Sequence, residues 1–258
     1  MNINEAITSL IDAEKQRKQI QPFTEVHKDI TVDEAYRIQL GVIEHKKNNG
    51  DKVVGKKIGL TSKAMQEMLG VDQPDYGHLL KSMIYEEDSV VSLEQFIQPR
   101  VEFEIGFVLK EQLKGPGVTV EDVVKATDYV VPAIEIIDSR IRNWEIAFED
   151  TVADNGSSVG AIIGKDSKPI SDIDLPKVEM SLYKNDQFFD SAFGSAVMGN
   201  PVEAVAWLAN AVGAYDISLD PGEIILAGAL SKAVPIEDGD SFKAEFSNLG
   251  TVSATFKK

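Results

Sequence analysis

Two acidic side chains, Glu102 and Glu104, stand two residues apart in the stretch Pro99–Leu109, with Val101, Phe103, Ile105 and Phe107 between and beyond them. Side chains on a β-strand alternate between faces, so this spacing puts both carboxylates on one face and the apolar set on the other. A third acid, Glu135, sits among Ala133, Ile134, Ile136 and Ile137 in the stretch Val131–Asp138. A carboxylate in so apolar a strand is costly unless something positive compensates it. Three acids converging from rigid strands would suit a hard divalent cation with positions left for water and substrate. By itself an E-x-E pair is a weak signal, since one acid on a half-exposed strand is ordinarily just solvated.

Other groups in the chain could share that chemistry. Lys56 and Lys57 follow Gly55 and precede Gly59. On a regular strand they face opposite ways, so one enters a site while the other stays in water. Ser62 reads as the N-cap of a helix over Lys63–Leu69, and free amides at a helix start can hold an anion. The segment 72–77 reads as a loop in which Pro74 and Gly77 fix the backbone around Asp75 and Tyr76, although a turn aspartate more often bonds its own backbone. His27 and His45 read as surface residues, and His78 follows the Asp75 loop. There is no G-x-S-x-G, no phosphate-binding G-x-x-x-x-G-K-[ST] and no G-x-G-x-x-G. With no persuasive histidine base, carboxylate, lysine and metal chemistry fits better than hydrolysis of a carbon–carbon bond.

The 258 residues carry a net charge of −16 and no cysteine. That balance argues against nucleic acid and anionic membranes, which demand a basic patch, and the missing cysteine excludes disulfides and thiol catalysis. An acidic substrate would have to be captured locally, by a cation, a lysine or backbone amides. No apolar run approaches the ~20 residues that span a bilayer, and the N-terminus shows no secretory pattern, so the expected location is cytoplasmic.

The elements that must hold these groups follow from periodicity. Ile3, Ala6, Ile7, Leu10 and Ile11 recur at helical spacing; Thr31 and Glu34 form a capping box for a helix ending near Gly50. Residues 1–50 therefore read as an N-terminal helical layer, and 51–258 as one compact, β-rich unit. A helix capped by Thr119 links the two acidic strands, which would bring them into one sheet. Residues 138–156 form a long polar and aromatic connection, the kind of loop that often carries function. Short strands then recur at 158–163, 178–183, 187–190, 223–227, 241–246 and 251–256, interrupted by a helix with Asn200 as cap and Pro201 in its first turn. The expected class is α+β, built on a mixed, curled, barrel-like sheet with helices outside.

Taken together, G-K-K-I-G-L-T-S at 55–62, G-V-D-Q-P-D-Y-G at 70–77, P-R-V-E-F-E at 99–104, P-A-I-E-I-I-D-S-R at 132–140 and D-T-V-A-D-N at 150–155 resemble the vinylpyruvate hydratase group of the fumarylacetoacetase-like superfamily. That group includes 2-hydroxypenta-2,4-dienoate hydratase, 2-oxohept-3-ene-1,7-dioate hydratase and 4-oxalocrotonate decarboxylase. The resemblance implies Glu102, Glu104 and Glu135 as Mg²⁺ or Mn²⁺ ligands, and Lys57 and Asp75 as catalytic groups. It places Thr61, Ser62 and Ser157 by the substrate. The implied activity is a hydro-lyase of aromatic-compound catabolism that converts 2-hydroxypenta-2,4-dienoate to 4-hydroxy-2-oxopentanoate. The alternatives are the decarboxylase, the longer diacid hydratase, and, in a different class, a non-catalytic metal-dependent binding module or accessory subunit. A homo-oligomer is implied, with a downstream aldolase or a paired decarboxylase or hydratase as its partner.

Overall fold

The computed structural model describes residues 2–258, with the side chain of Met68 left aside. The chain begins with helix α1 (Ile3–Gln16), whose first amides, at Asn4 and Glu5, donate to the Asn2 side chain. A short α2 (Phe23–Val26) leads to α3 (Val32–Asn48), which starts at the Thr31–Glu34 capping box. Ala6 and Leu10 of α1 and Ala35, Ile38 and Val42 of α3 join the same hydrophobic cluster as Phe103, Ile105 and Ile134 from the sheet.

The first β-rich run is β1 (Val53–Gly59), α4 (Lys63–Leu69), β2 (Asp75–Leu80), β3 (Ile84–Glu86) and β4 (Val90–Ser92). Then come β5 (Arg100–Leu109), α5 (Val120–Ala126), β6 (Thr127–Ile137), α6 (Phe148–Ala153), β7 (Ser158–Ile163) and β8 (Lys168–Pro169). The last third contributes β9 (Glu179–Lys184), β10 (Gln187–Phe193), α7 (Pro201–Gly213), β11 (Ile224–Leu226), β12 (Val234–Pro235), β13 (Ser241–Phe246) and β14 (Gly250–Lys257).

The strands pair into two sheets. One runs β2-β1-β11-β5-β6-β7-β3, with β12 added beside β5 and β8 beside β6; the other runs β10-β9-β13-β14-β4. The α+β class holds, but among the described residues neither sheet closes on itself, so the single barrel-like sheet expected from the sequence resolves into two open ones. Runs of alternating strands carry no information on which edge meets which, and that is where the expectation failed. A second correction concerns β2. Residues 75–80 form a strand rather than the continuation of a loop, and all six are buried. A strand buried on both faces does not alternate, and the Pro74 and Gly77 signals concealed it.

The expected adjacency of the acidic strands is observed. β5 and β6 pair antiparallel over their whole length, with Glu102 opposite Glu135 and Glu104 opposite Ala133. The long connection after β6 is not all irregular either, since α6 occupies residues 148–153.

A candidate metal centre beside a buried lysine

Strand alternation on β5 sends Val101, Phe103 and Ile105 into the core and Glu102 and Glu104 to the opposite face, where β6 delivers Glu135. Ligand atoms of the three carboxylates all lie within 4.8 Å of one another. Glu104 and Glu135 are fully buried. Their polar partners are few: the Gly228 amide donates to Glu104 Oε2 at 2.7 Å, while Glu104 Oε1 and both Glu135 oxygens have no hydrogen-bond partner among the described residues. Burial pushes the Glu102 carboxyl up to about 7. It raises Glu104 and Glu135 as well, with the neighbouring acids adding to the effect on Glu104. Three hard oxygen donors converging in a dry site, with orphaned lone pairs and mutual repulsion, fit a divalent cation such as Mg²⁺ or Mn²⁺. Glu102, Glu104 and Glu135 are the residues that would hold it.

Lys57 comes to this cluster from β1. Its Nζ lies 3.8 Å from Glu135 Oε2 and 4.0 Å from Asp75 Oδ1, and only 3% of the residue is exposed. Burial alone would favour the neutral amine, but Glu135, Asp75, Glu102 and Glu104 outweigh it and hold Lys57 as an ammonium, its pKa raised. Asp75 arrives through the antiparallel β1–β2 pairing, which sets it opposite Gly59. Its Oδ2 accepts from Thr151 Oγ1 at 3.3 Å, and Oδ1 has no partner. Two glycines make the approach possible. A Cβ on Gly156 would lie 2.8 Å from Lys57 Cε and 2.9 Å from its Nζ, and one on Gly59 would collide with Asp75.

Lys56 does face away from Lys57, but not into water. It is buried and bonds both carboxylate oxygens of Glu223, at 2.6 and 2.9 Å. A lysine on the far face of a central strand meets protein, so it needs an acid of its own.

The connection after β6 acts as a clamp. The Arg140 guanidinium, itself buried, donates to Asp154 Oδ1 and to the Asp154 and Asp138 carbonyls, while the Arg140 amide donates to Asp154 Oδ2 at 3.0 Å. Asn155 pairs with the backbone of His78 in both directions, at 2.7 and 3.0 Å. Between these anchors Asn155, Gly156 and Ser157 all adopt left-handed backbone (φ 59°, 57° and 57°), which brings the Gly156 backbone onto Lys57. The Ser157 hydroxyl donates to Asp154 Oδ2 at 3.4 Å. Thr61 is buried against Gly228, and Ser62 caps α4 by accepting from the Met65 amide at 3.3 Å.

His78 is buried with Nδ1 3.1 Å from Gln39 Oε1, and burial lowers its pKa to about 3. It is a neutral packing residue. Sequence reasoning missed Gly228, Thr151 and the Arg140–Asp154 pair, because each reaches the centre through tertiary contacts that no local spacing encodes. A separate cleft of about 530 Å³ lies among Glu14, His45, Lys46, Asp51, Tyr85 and Arg140; it includes none of the three acids, nor Lys57 or Asp75.

Residues 35–257 match the Fumarylacetoacetate (FAA) hydrolase C-terminal family. The chain is 47% identical over 249 residues to 2-hydroxyhexa-2,4-dienoate hydratase of Comamonas testosteroni, covering 96% of this chain and 94% of the relative. It is 45% identical over 217 residues to 2-hydroxypent-2,4-dienoate hydratase of Pseudomonas putida, covering 84% and 98%. The structure of 4-oxalocrotonate decarboxylase from Pseudomonas putida G7, complexed with magnesium and adipate, superposes with a TM-score of 0.96 at 34% identity, covering 98% of this chain and 97% of that one. A match over most of its length, together with relatives this similar, means that the chain belongs to the fumarylacetoacetate hydrolase C-terminal family.

Proposed function

We propose that the protein is a metal-dependent hydro-lyase that converts 2-hydroxypenta-2,4-dienoate to 4-hydroxy-2-oxopentanoate. The observation that carries this reading is the cluster of three acids, with orphaned oxygens on Glu104 and Glu135, beside Lys57, which lies 3.8 Å from Glu135 and 4.0 Å from Asp75, in a chain 45–47% identical to dienoate hydratases. A divalent ion held by Glu102, Glu104 and Glu135 supplies Lewis acidity at the C2 oxygen of a 2-oxo acid. The protein's own groups manage the protons. In the first step the C2 hydroxyl proton leaves and a proton is delivered to C5, turning the dienol into an α,β-unsaturated ketone. In the second, water adds at C4 and a proton reaches C3. Lys57, kept as the ammonium, gives its proton to C5 and regains one from the C2 hydroxyl; in the second step Asp75, whose Oδ1 has no hydrogen-bond partner while Thr151 holds Oδ2, accepts the proton of the attacking water, Lys57 protonates C3, and the proton on Asp75 passes back to Lys57, 4.0 Å away. Thr61, Ser62 and Ser157 are assigned to the substrate's C1 carboxylate; the packing of Thr61 on Gly228, whose amide holds Glu104, supports the first of these.

The product is a 4-hydroxy-2-oxo acid, which a retro-aldol enzyme can cleave between C3 and C4, so a downstream aldolase is the natural partner. The enzyme is read as a homo-oligomer, which light scattering tests. The superposition on a decarboxylase favours a second reading, in which the same electron sink expels CO₂ from a diacid. Loss of dienol absorbance with Mg²⁺ or Mn²⁺, and its absence after chelation, is the expected result, with deuterium from solvent at C5 of the product. CO₂ release from 2-oxohex-3-enedioate, with no turnover of the pentadienoate, would transfer the assignment to the decarboxylase. Metal binding without turnover of either would leave a binding module.

A further inference from the structure

Gln39 is fully buried on α3, yet its side-chain amide makes three polar contacts. Its Nε2 donates to the Tyr76 carbonyl at 2.9 Å and to the Val152 carbonyl at 2.7 Å. Carbonyls only accept, so the NH₂ group faces them and Oε1 faces His78 Nδ1, 3.1 Å away. Burial keeps the His78 imidazole neutral, its pKa lowered to about 3, and Nδ1 therefore carries the proton and donates to Oε1. The Gln39 amide is held from both ends.

The two carbonyls belong to the segments that carry Asp75. β2 is the outer strand of its sheet and pairs, among the described residues, with β1 alone. Its free edge is taken by Gln39 at Tyr76 and by Asn155 at His78. Val152 lies in the last turn of α6, where carbonyls run out of helical donors. Tyr76 follows Asp75, and Val152 follows Thr151. The side chains of Asp75 and Thr151 meet at 3.3 Å, Oγ1 to Oδ2, while Asp75 Oδ1 has no hydrogen-bond partner among the described residues. On its other side Asp75 is pressed against Gly59, where a Cβ would not fit, and Lys57 Nζ stands 4.0 Å from Oδ1. Asp75 thus takes its direction from the backbone that carries it and from the spacing of β2 and α6. One amide fixes both. Tyr36, three residues before Gln39 on the same helix, stacks on Tyr76 with ring centroids 4.4 Å apart and adds a second hold on β2.

We propose that Gln39 is a positioning residue for the addition of water: by tying Tyr76 to Val152 it sets where Asp75 stands relative to Lys57 and keeps Oδ1 open to the attacking water. This rests on the reading of Asp75 as the group that takes the water's proton. The N-terminal helical layer then supplies part of the geometry of the site. The two half-reactions separate such a role from a general loss of fold. Ketonisation runs through Lys57, which gives C5 its proton and regains one from the C2 hydroxyl, whereas addition of water at C4 needs Asp75. A displaced Asp75 slows the second step and lets the unsaturated ketone return to the dienol. In D₂O that return leaves deuterium at C5 of dienol not yet hydrated.

The test compares Mg²⁺-loaded wild type, Gln39→Met and Gln39→Glu in D₂O, with labelled dienol and hydrated product followed by NMR. Gln39→Met is expected to lower kcat about tenfold to a hundredfold, and to raise the ratio of labelled dienol to product by a similar factor, while Mg²⁺ affinity stays within about twofold. Gln39→Glu keeps the volume and, buried and so protonated, one donor; it recovers part of both effects. Asn210→Leu removes a comparable amide bridge, from α7 to the Gly117 and Val118 amides, and leaves the ratio unchanged. Should Gln39→Met not fold, Gln39→Glu decides alone. A fall in kcat with an unchanged ratio overturns the proposal, because both steps are then lost alike. So does wild-type kcat in the Gln39 variants, or an equal rise of the ratio in Asn210→Leu. A wild type inert towards the dienol overturns the proposed function instead, and the role of Asp75 on which Gln39 depends goes with it.

Discussion

Glu104 and Glu135 pose an energetic problem that defines the site. Each is fully buried, and three of their four carboxylate oxygens have no hydrogen-bond partner among the described residues. Removing one charge should therefore help the metal-free protein and damage the enzyme. Glu104→Gln keeps the volume and can still accept from the Gly228 amide, while relieving desolvation and repulsion of about 1–3 kcal/mol. The pH dependence follows from the raised pKa. A carboxyl whose folded value lies above its unfolded one contributes its full stability below about 4.5 and loses it as pH rises through the folded value. The metal-free variant is thus expected to melt above the metal-free wild type at pH 8, and the gap should close towards pH 4.5. The same variant should bind Mg²⁺ at least tenfold more weakly and lose at least a hundredfold in turnover. Differential scanning calorimetry after chelation, with a Mg²⁺ titration beside it, checks both signs. A variant that melts lower at pH 8 would contradict the account of an unpaired acid.

The elements around the site were legible to different degrees. β5 could be read directly, because Val101, Phe103 and Ile105 alternate with Glu102 and Glu104, and β6 as a short run of apolar, mostly β-branched residues around one acid. β2 was hidden because all six of its residues are buried, which erases alternation. The clamp after β6 was visible only as a long polar stretch. Its working parts are the Arg140–Asp154 ion pair, 14 residues apart, and Asp138, whose carboxylate accepts from the Ile97 and Gln98 amides at 2.8 and 2.6 Å and ties down the approach to β5. The turn at Asn155–Ser157 gives this clamp a measurable role. Gly156 is needed both for its φ of 57° and for its closeness to Lys57. Gly156→Ala should cost about 1–3 kcal/mol of stability from the strained backbone and the clash. Its larger effect should be on kcat, down about tenfold to a hundredfold through displacement of the ammonium, with KM and Mg²⁺ affinity little changed. Steady-state kinetics beside a Mg²⁺ titration separates the two. A fall in Mg²⁺ affinity as large as the fall in kcat would show that the turn supports the acids rather than the lysine.

At the scale of the whole molecule, the net charge of −16 sets two expectations of opposite sign. The field of the protein attracts a divalent cation and repels an anionic substrate, and salt screens both over a Debye length of about 10 Å at 0.1 M. The N-terminal helices share the hydrophobic core of the sheet that carries the acids, and no described helix is long and apolar enough to cross a membrane. Raising KCl from about 10 to 150 mM should therefore weaken Mg²⁺ binding several-fold. At saturating Mg²⁺ the same change should raise kcat/KM for the dienoate several-fold, because weaker repulsion speeds encounter. Local contacts in the dry site, such as Lys57 with Glu135 and Asp75, are screened far less, so kcat should stay within about twofold. A titration that follows Mg²⁺ affinity, kcat/KM and kcat together distinguishes the outcomes. If kcat/KM falls with salt, the substrate is drawn in by the bound metal and the cations beside it, and the long-range field of the chain is not what limits its capture.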